Sequence, residues 1–299
     1  MLTRATRAVL LALFLFTTAA NLASRELRDG MGRLVNVPDQ PHRIICLAPN
    51  LTETVYALGL GNDVVGITNY TDYPPQARLK PKVGGPDNPS VETIISLHPD
   101  LIIAGGGINQ EHVVEQLDHL GIPVFVVHPL GLEGILESIN QIGQATNREP
   151  AAQELVKRLE AREARVAARV RGLPRPKVFV VIWYQPVITV GKGAFVTDVI
   201  TAAGGRSVTA DIPQAWPQVS LERVPELAPD KLLLVRNAGE HSGPSLETLK
   251  AAGGWSSLNA VRDGHVIYID DRLFHASPVI FDAMEDLARK LHPNAFRPQ

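Results

Sequence analysis

Cysteine is nearly absent from this chain. The only one in 299 residues, Cys46, sits in the apolar run "RIICLAP", so no intramolecular disulfide can form and the thiol is expected in a core. Runs of basic residues are missing too, and with them the electrostatic footprint that phosphate backbones require, which argues against a nucleic-acid partner. No Gly-x-Ser-x-Gly elbow, His-Glu-x-x-His helix or Cys-x-x-Cys pair occurs, and the nine histidines lack the spacing of metal ligands. The glycine-rich "AGGG" at 104–107 has neither the lysine nor the helix signature of a phosphate cradle. The expectation is a binding protein and not an enzyme, with no metal site and no cofactor of its own.

A membrane-spanning run is lacking as well. Arg4 and Arg7 are followed by "AVLLALFLF", about half the length a spanning helix needs, and then by the small-residue stretch "TTAANLAS". That order reads as a secretory signal peptide over residues 1–24, cleaved after Ala20 or Ala23. No cysteine lies near the cleavage zone to carry a lipid, so the mature chain is expected free in a periplasm, without a membrane anchor. Removal of the leader takes two arginines and no acid, which leaves 27 basic against 31 acidic residues and a formal charge of -4.

What is present is alternation. From Arg43 onward, short apolar strands such as "RIICLAP", "DVVGITN", "LIIAGGG" and "PVFVVH" alternate with helices at 50–60, 91–98, 109–120 and 132–144. The scheme resumes with strand "KVFVVIWY", helices 195–203 and 220–227, strand "KLLLVR", helix 245–251, strand "HVIYID" and a helix from Pro278 to Leu291. Such spacing implies βαβ units and mostly parallel sheets. Between the halves, Ala152, Leu155, Val156, Leu159, Val166 and Val170 recur at helical spacing behind Pro150. About 22 helical residues span roughly 33 Å, the width of a small domain. The fold class is therefore α/β, with two αβ lobes joined by a single long rigid helix and a ligand cleft between them. The boundaries are 25–146 for the first lobe, 147–172 for the connecting helix and 173–299 for the second.

One motif occurs twice. "VETIISLHPDLII" from Val91 and "LERVPELAPDKLLL" from Leu221 share their apolar positions, a Pro-Asp pair and a glutamate two residues after a serine. Glu92 and Glu222 stand 130 positions apart. Either acid alone would complement a helix dipole behind the caps Ser90 and Ser220. Two lobes related by a pseudo-dyad would instead present both on one face, to a two-fold partner with an arginine on each subunit.

Three stretches carry a family resemblance: "RDGMGRLVNVPDQPHRIICLAPNLTETVYALGLGNDVVGITNYTDYPPQARLKPKVGG", "AWPQVSLERVPELAPD" and "DDRLFHASPVIFDAMEDLA". The chain resembles the periplasmic binding proteins for cobalamin and ferric siderophores, closest to the cobalamin-binding members, over essentially the whole mature length. The resemblance implies delivery of ligand to an ABC transporter, a permease dimer with its ATPase subunits, by a monomeric protein. It implies that Glu92 and Glu222 dock on permease arginines.

Ligands in such sheets gather beyond the carboxyl ends of the strands. Those ends, with the loop before the second Ser-x-Glu, supply Asn50, Tyr70, Trp183, Tyr184, Trp216 and Asp271, and Phe274 and His275 open the last helix. Tyr70, Trp216 and Asp271 match ligand-contact positions of cobalamin-binding relatives. Trp183 and Tyr184 lie beside the matching aromatic positions, which Ile182 and Ile188 occupy, and Pro86 and Gly105 stand where a relative places tryptophan. Few charges line this set, as a bulky apolar ligand needs. Cobalamin or another corrinoid ranks first, a ferric siderophore second and haem third. A siderophore would call on Arg206, Arg236 and Arg272.

Overall fold

A computed structural model describes residues 24–236 and 244–297; the predicted signal peptide, Ser24 apart, lies outside them. The chain opens with an antiparallel hairpin, β1 (Ser24–Arg28) and β2 (Leu34–Pro38). The first lobe then contains β3 (Ile44–Cys46), α1 (Pro49–Ala57), β4 (Val64–Ile67), α2 (Val91–Ser96), β5 (Leu101–Gly105), α3 (Glu111–His119), β6 (Val124–Val127) and α4 (Gly131–Ala145). Helix α5 (Glu149–Val170) leads to the second lobe: β7 (Lys177–Val181), α6 (Phe195–Ala202), β8 (Arg206–Ser207), β9 (Lys231–Arg236), α7 (Leu246–Ala251), α8 (Asn259–Arg262), β10 (Val266–Asp270) and α9 (Ile280–Leu291).

Both lobes carry a four-stranded, wholly parallel sheet. The strand order is β4-β3-β5-β6 in the first and β8-β7-β9-β10 in the second, the same winding used twice. Helices cover both faces, which is why the central strands read as unbroken apolar runs. Ile44 and Cys46 of β3 join a core that also takes Val178 and Val180 of β7. Ile45 and Phe179 turn the other way, into two separate outer cores. Burial pushes the Cys46 thiol up to about 12 against a weaker opposing hydrogen bond with Thr52, so the thiol stays protonated and inert.

The large core is continuous between the lobes. Ala152, Leu155, Val156, Leu159 and Val166 of α5 are buried against Ile135, Ile139 and Ile142 of α4 and against Met284 and Leu287 of α9. Each larger side chain contributes about 1.5–3 kcal/mol by leaving water. On the outer side, Arg162 pairs with Asp282 and lies 3.6 Å from Glu285, tying α5 to α9. Asp198 of α6 accepts the Leu132 N–H at the start of α4, another bond across the lobe boundary. A Cβ on Gly131 would come within 2.7 Å of that carboxylate, so the close approach needs glycine.

The repeated motif has a structural half. His98 and Ala228, equivalent across the repeat, both adopt left-handed backbone, with φ of 47° and 45°. Each turns the chain into Pro-Asp. The Asp100 carboxylate then accepts the His42 and Arg43 N–H groups at 2.8 and 2.9 Å, and Asp230 accepts that of Lys177 at 2.7 Å. The Pro-Asp pair therefore ties the entry of a strand to the entry of its neighbour in both lobes.

The copies differ in one respect. The α-helix expected at 220–227 is instead a pair of 3₁₀ turns, Leu221–Arg223 and Pro225–Leu227. Pro225 takes the place of Ile95, and its missing N–H removes the helical bond that would join the two turns. The N-terminal hairpin was not anticipated either. Asp29 holds its turn by accepting the Met31 and Arg33 N–H groups and two bonds from the Arg33 guanidinium, and Gly30 donates to Val126 O at 2.7 Å. Asp100→Ala is expected to lower stability by about 1 kcal/mol in urea unfolding, and Asp230→Ala by less, because it gives up one strand-entry bond against two.

Candidate functional site

All eight strands of the two sheets are parallel within their lobe, so each lobe has one carboxyl edge, and the candidate residues fall at these edges. In the second lobe, Trp216 is 45% exposed and meets Phe195 edge-on at 5.7 Å between ring centroids. Phe274 lies 6.4 Å from it, tilted by 50°. The three rings form one aromatic wall from three separate elements: the loop before the 3₁₀ turns, the start of α6 and the turn after β10. Such clusters expose a broad polarizable face while holding each other in place.

Trp183 and Tyr184 separate. Trp183 is 48% exposed, and its indole N–H donates to Gln185 O at 2.9 Å within a tight turn. Tyr184 turns inward and stacks on buried Trp255 at 5.4 Å and 20°, on the outer core of the lobe. The structure does not bring Tyr184 to the aromatic wall. The chain turns directly after Trp183, and the stack on Trp255 takes the Tyr184 ring to the outer core while Trp183 stays exposed.

In the first lobe, Tyr70 is 71% exposed beyond β4. Asn50 is buried in the first turn of α1 and donates to Ala276 O of the second lobe at 3.2 Å, so it serves the lobe contact. Sequence reasoning missed the residue that organises this edge. Buried Asn109 accepts the Gly105 N–H at 2.7 Å and donates to Leu47 O at 2.8 Å and Pro86 O at 2.6 Å, locking the ends of β3 and β5 to the loop between them. A Cβ on Gly105 would meet Ile108 at 3.0 Å, so no large side chain stands there. Met31, Ile108 and His128 supply the surface instead, Met31 and His128 flanking Gly106. The Asp-Gly hairpin signal at 29–30 would have found Met31; nothing in the sequence marks Asn109.

The turn after β10 is the polar part. Asp270 pairs with Arg272 at 2.6 Å. Burial raises Asp271 above the usual carboxylate range; His275 opposes this, while Asp270 and Asp72 of the first lobe reinforce it. His275 Nδ1 lies 2.6 Å from Glu53 of α1. Burial alone would lower His275, but the hydrogen bond and charge of Glu53, with Asp271 and Asp72 adding, hold the imidazole above its ordinary value. Arg206 starts the short strand β8 opposite Lys177, at the edge away from the cleft, and the side chain of Arg236 lies outside the described residues. Among the described residues no cluster of three or more metal-ligating acids, histidines or cysteines occurs, and no helix is long and apolar enough to cross a membrane.

Glu92 and Glu222 are both exposed in the first turn of elements that precede a parallel strand. Such elements run back along the sheet, so their starts lie at the carboxyl edge, the cleft side. Ser90 caps α2 by accepting the Thr93 N–H at 3.2 Å, while Ser220 donates its hydroxyl to the Glu222 carboxylate. Glu92 is thus unengaged among the described residues, and Glu222 is steadied by its own serine.

Two αβ lobes of identical winding, a rigid linking helix and an aromatic edge define a periplasmic binding protein. The family model described by that name matches residues 44–273, and the chain belongs to this family. It is a substrate-binding protein of the ABC importer class and not an enzyme. Among its relatives, the vitamin B12-binding protein of Salmonella typhimurium is 33% identical over 250 residues, covering 83% of this chain and 90% of that protein. The uncharacterized ABC transporter substrate-binding lipoprotein YvrC of Bacillus subtilis is 29% identical over 277 residues, 90% of this chain and 86% of that one. In structure, the periplasmic heme-binding protein RhuT from Roseiflexus sp. RS-1, in apo form, superposes with a TM-score of 0.77 at 26% identity, over 85% of this chain and 99% of that chain.

The separated aromatics give a direct check. Tyr184→Ala is expected to lower the unfolding free energy by about 2 kcal/mol, since it opens a gap beside Trp255. Trp216→Ala should cost about 1 kcal/mol or less, because it removes only ring–ring contacts at a half-exposed position. Urea unfolding of both variants reads the difference.

Proposed function

We propose that this protein captures cobalamin or a related corrinoid between its two lobes and delivers it to a dimeric permease. The observation that carries this reading is the wall of Trp216, Phe195 and Phe274. It offers a wide apolar face, and the neighbouring cation, Arg272, is already neutralised by Asp270. A trianionic catecholate siderophore would find little to pair with, since Arg206 is at the opposite edge. A corrinoid presents amides and methyl groups at its periphery and needs no such cations. The likeness to the vitamin B12-binding relative supports the same choice.

Haem is the second reading, favoured by the superposition on a haem-binding neighbour. Both ligands are flat, wide and largely apolar, and both suit an aromatic wall. On the proposed route, the signal peptide at 1–24 sends the chain to the periplasm, where it works as an unanchored monomer. Its lobes, residues 25–146 and 173–299 about the helix at 147–172, present Glu92 and Glu222 to arginines of the permease subunits, with ATPase subunits beyond. The exposure of both acids on the cleft side supports this docking.

Tryptophan-quenching titrations with cyanocobalamin, cobinamide, haem and a ferric catecholate, corrected for absorbance, test the ligand. Saturation by a corrinoid alone is expected, with Trp216→Ala weakening it about tenfold, the equivalent of about 1.4 kcal/mol; saturation by haem alone would exchange the two readings. The paired charge reversal Glu92→Arg with Glu222→Arg is expected to abolish uptake and leave affinity unchanged. Normal uptake by that variant would remove the docking assignment.

A further inference from the structure

Glu53 is the most buried carboxylate at the lobe boundary, with 1% of its side chain exposed. It stands on α1 of the first lobe, yet both of its oxygens are taken by the second. Oε1 lies 2.6 Å from His275 Nδ1, and Oε2 accepts the hydroxyl of Ser277, a residue with no exposed surface. Asn50, one helical turn earlier, reaches Ala276 O between them. Three consecutive residues of the second lobe are thus held by one helix of the first. The same short segment carries Asp271 and Phe274, and Ser277 goes on to accept the Val279 N–H where α9 is about to start.

We propose that Glu53 is a positioning residue for the ligand cleft: by gripping His275 and Ser277 across the lobe boundary, it fixes the turn 271–277 that sets Phe274 against Trp216. The placement rests on the reading of this edge as a ligand cleft, but the grip itself exists without ligand. A buried acid is costly unless its oxygens are hydrogen-bonded, and here the His275 ring nitrogen and the Ser277 hydroxyl each engage one of them. Removing the charge on either partner therefore loosens the turn.

The groups facing His275 are Glu53 from α1, Asp72 from the loop after β4 and Asp271 from its own turn; all three are acids that favour the imidazolium. The sign follows. Because the folded value lies above the unfolded one of about 6.5, the grip is complete below pH 6.5 and is lost as pH rises through the raised folded value.

The test needs no ligand, so a failed corrinoid titration leaves it standing. The chain has three tryptophans, and Trp183→Phe with Trp255→Phe leaves Trp216 as the sole emitter. In that background the emission of ligand-free protein between pH 5 and 9 is expected to show one transition with its midpoint above 6.5. Glu53→Gln should move the midpoint down or remove the transition, and His275→Gln should remove it. A flat profile in the background protein would overturn the proposal. So would a transition that survives unchanged in Glu53→Gln, whether or not His275→Gln abolishes it.

Discussion

The apolar face of α5 is the constraint on which the rest of the structure depends. Its buried leucines and valines belong to the same core as β3 of the first lobe and β7 of the second. Moving one lobe against the other therefore shears packed side chains, and close-packed interiors resist such shear. With Arg162 tied to α9 and Asp198 to α4, the helix behaves as a strut and not as a hinge. The shared core resists movement of the two carboxyl edges, so the cleft between them is expected to close only modestly. Preformed sites of this kind spend little ordering entropy on binding.

The two lobes share one winding and differ at their edges. Both lobes keep the winding order and the Pro-Asp tie between strand entries, because these hold the sheet together. They diverge where the ligand and the transporter would touch. The first lobe offers the hydrogen-bonded edge around Asn109 and the exposed side chains of Met31, Ile108 and Tyr70; the second offers the aromatic wall. Pro225 divides the second copy of the motif into two 3₁₀ turns, and the Ser220 hydroxyl donates to the Glu222 carboxylate.

Much of this was legible in the sequence, for physical reasons. Strands buried on both faces must be continuously apolar, and the alternation with helices then fixes a parallel sheet. The spacing of Leu155, Leu159 and Val166 announces a helix with one buried face, and the repeat of Ser-x-Glu announces two lobes. What was not legible depends on partners far away in the chain. Nothing local to His275 shows that Glu53, 222 positions away, holds its ring nitrogen. The same holds for Asn50, which reaches Ala276. Tyr184 and Trp183 are neighbours of similar chemistry, and only the packing of Trp255 decides which one turns inward. The Asp-Gly pair at 29–30 signals the hairpin, whereas Pro225 is the residue that turns the helix expected at 220–227 into 3₁₀ turns.

The proposed function puts a single corrinoid in the cleft. Native mass spectrometry of the protein taken from the periplasm of cells grown with cobalamin tests this most directly, since it weighs whatever the cleft has captured. The expected result is a complex heavier by one corrinoid, with lower occupancy when Trp216 is replaced by alanine. A complex carrying haem or a ferric siderophore under the same conditions would contradict it.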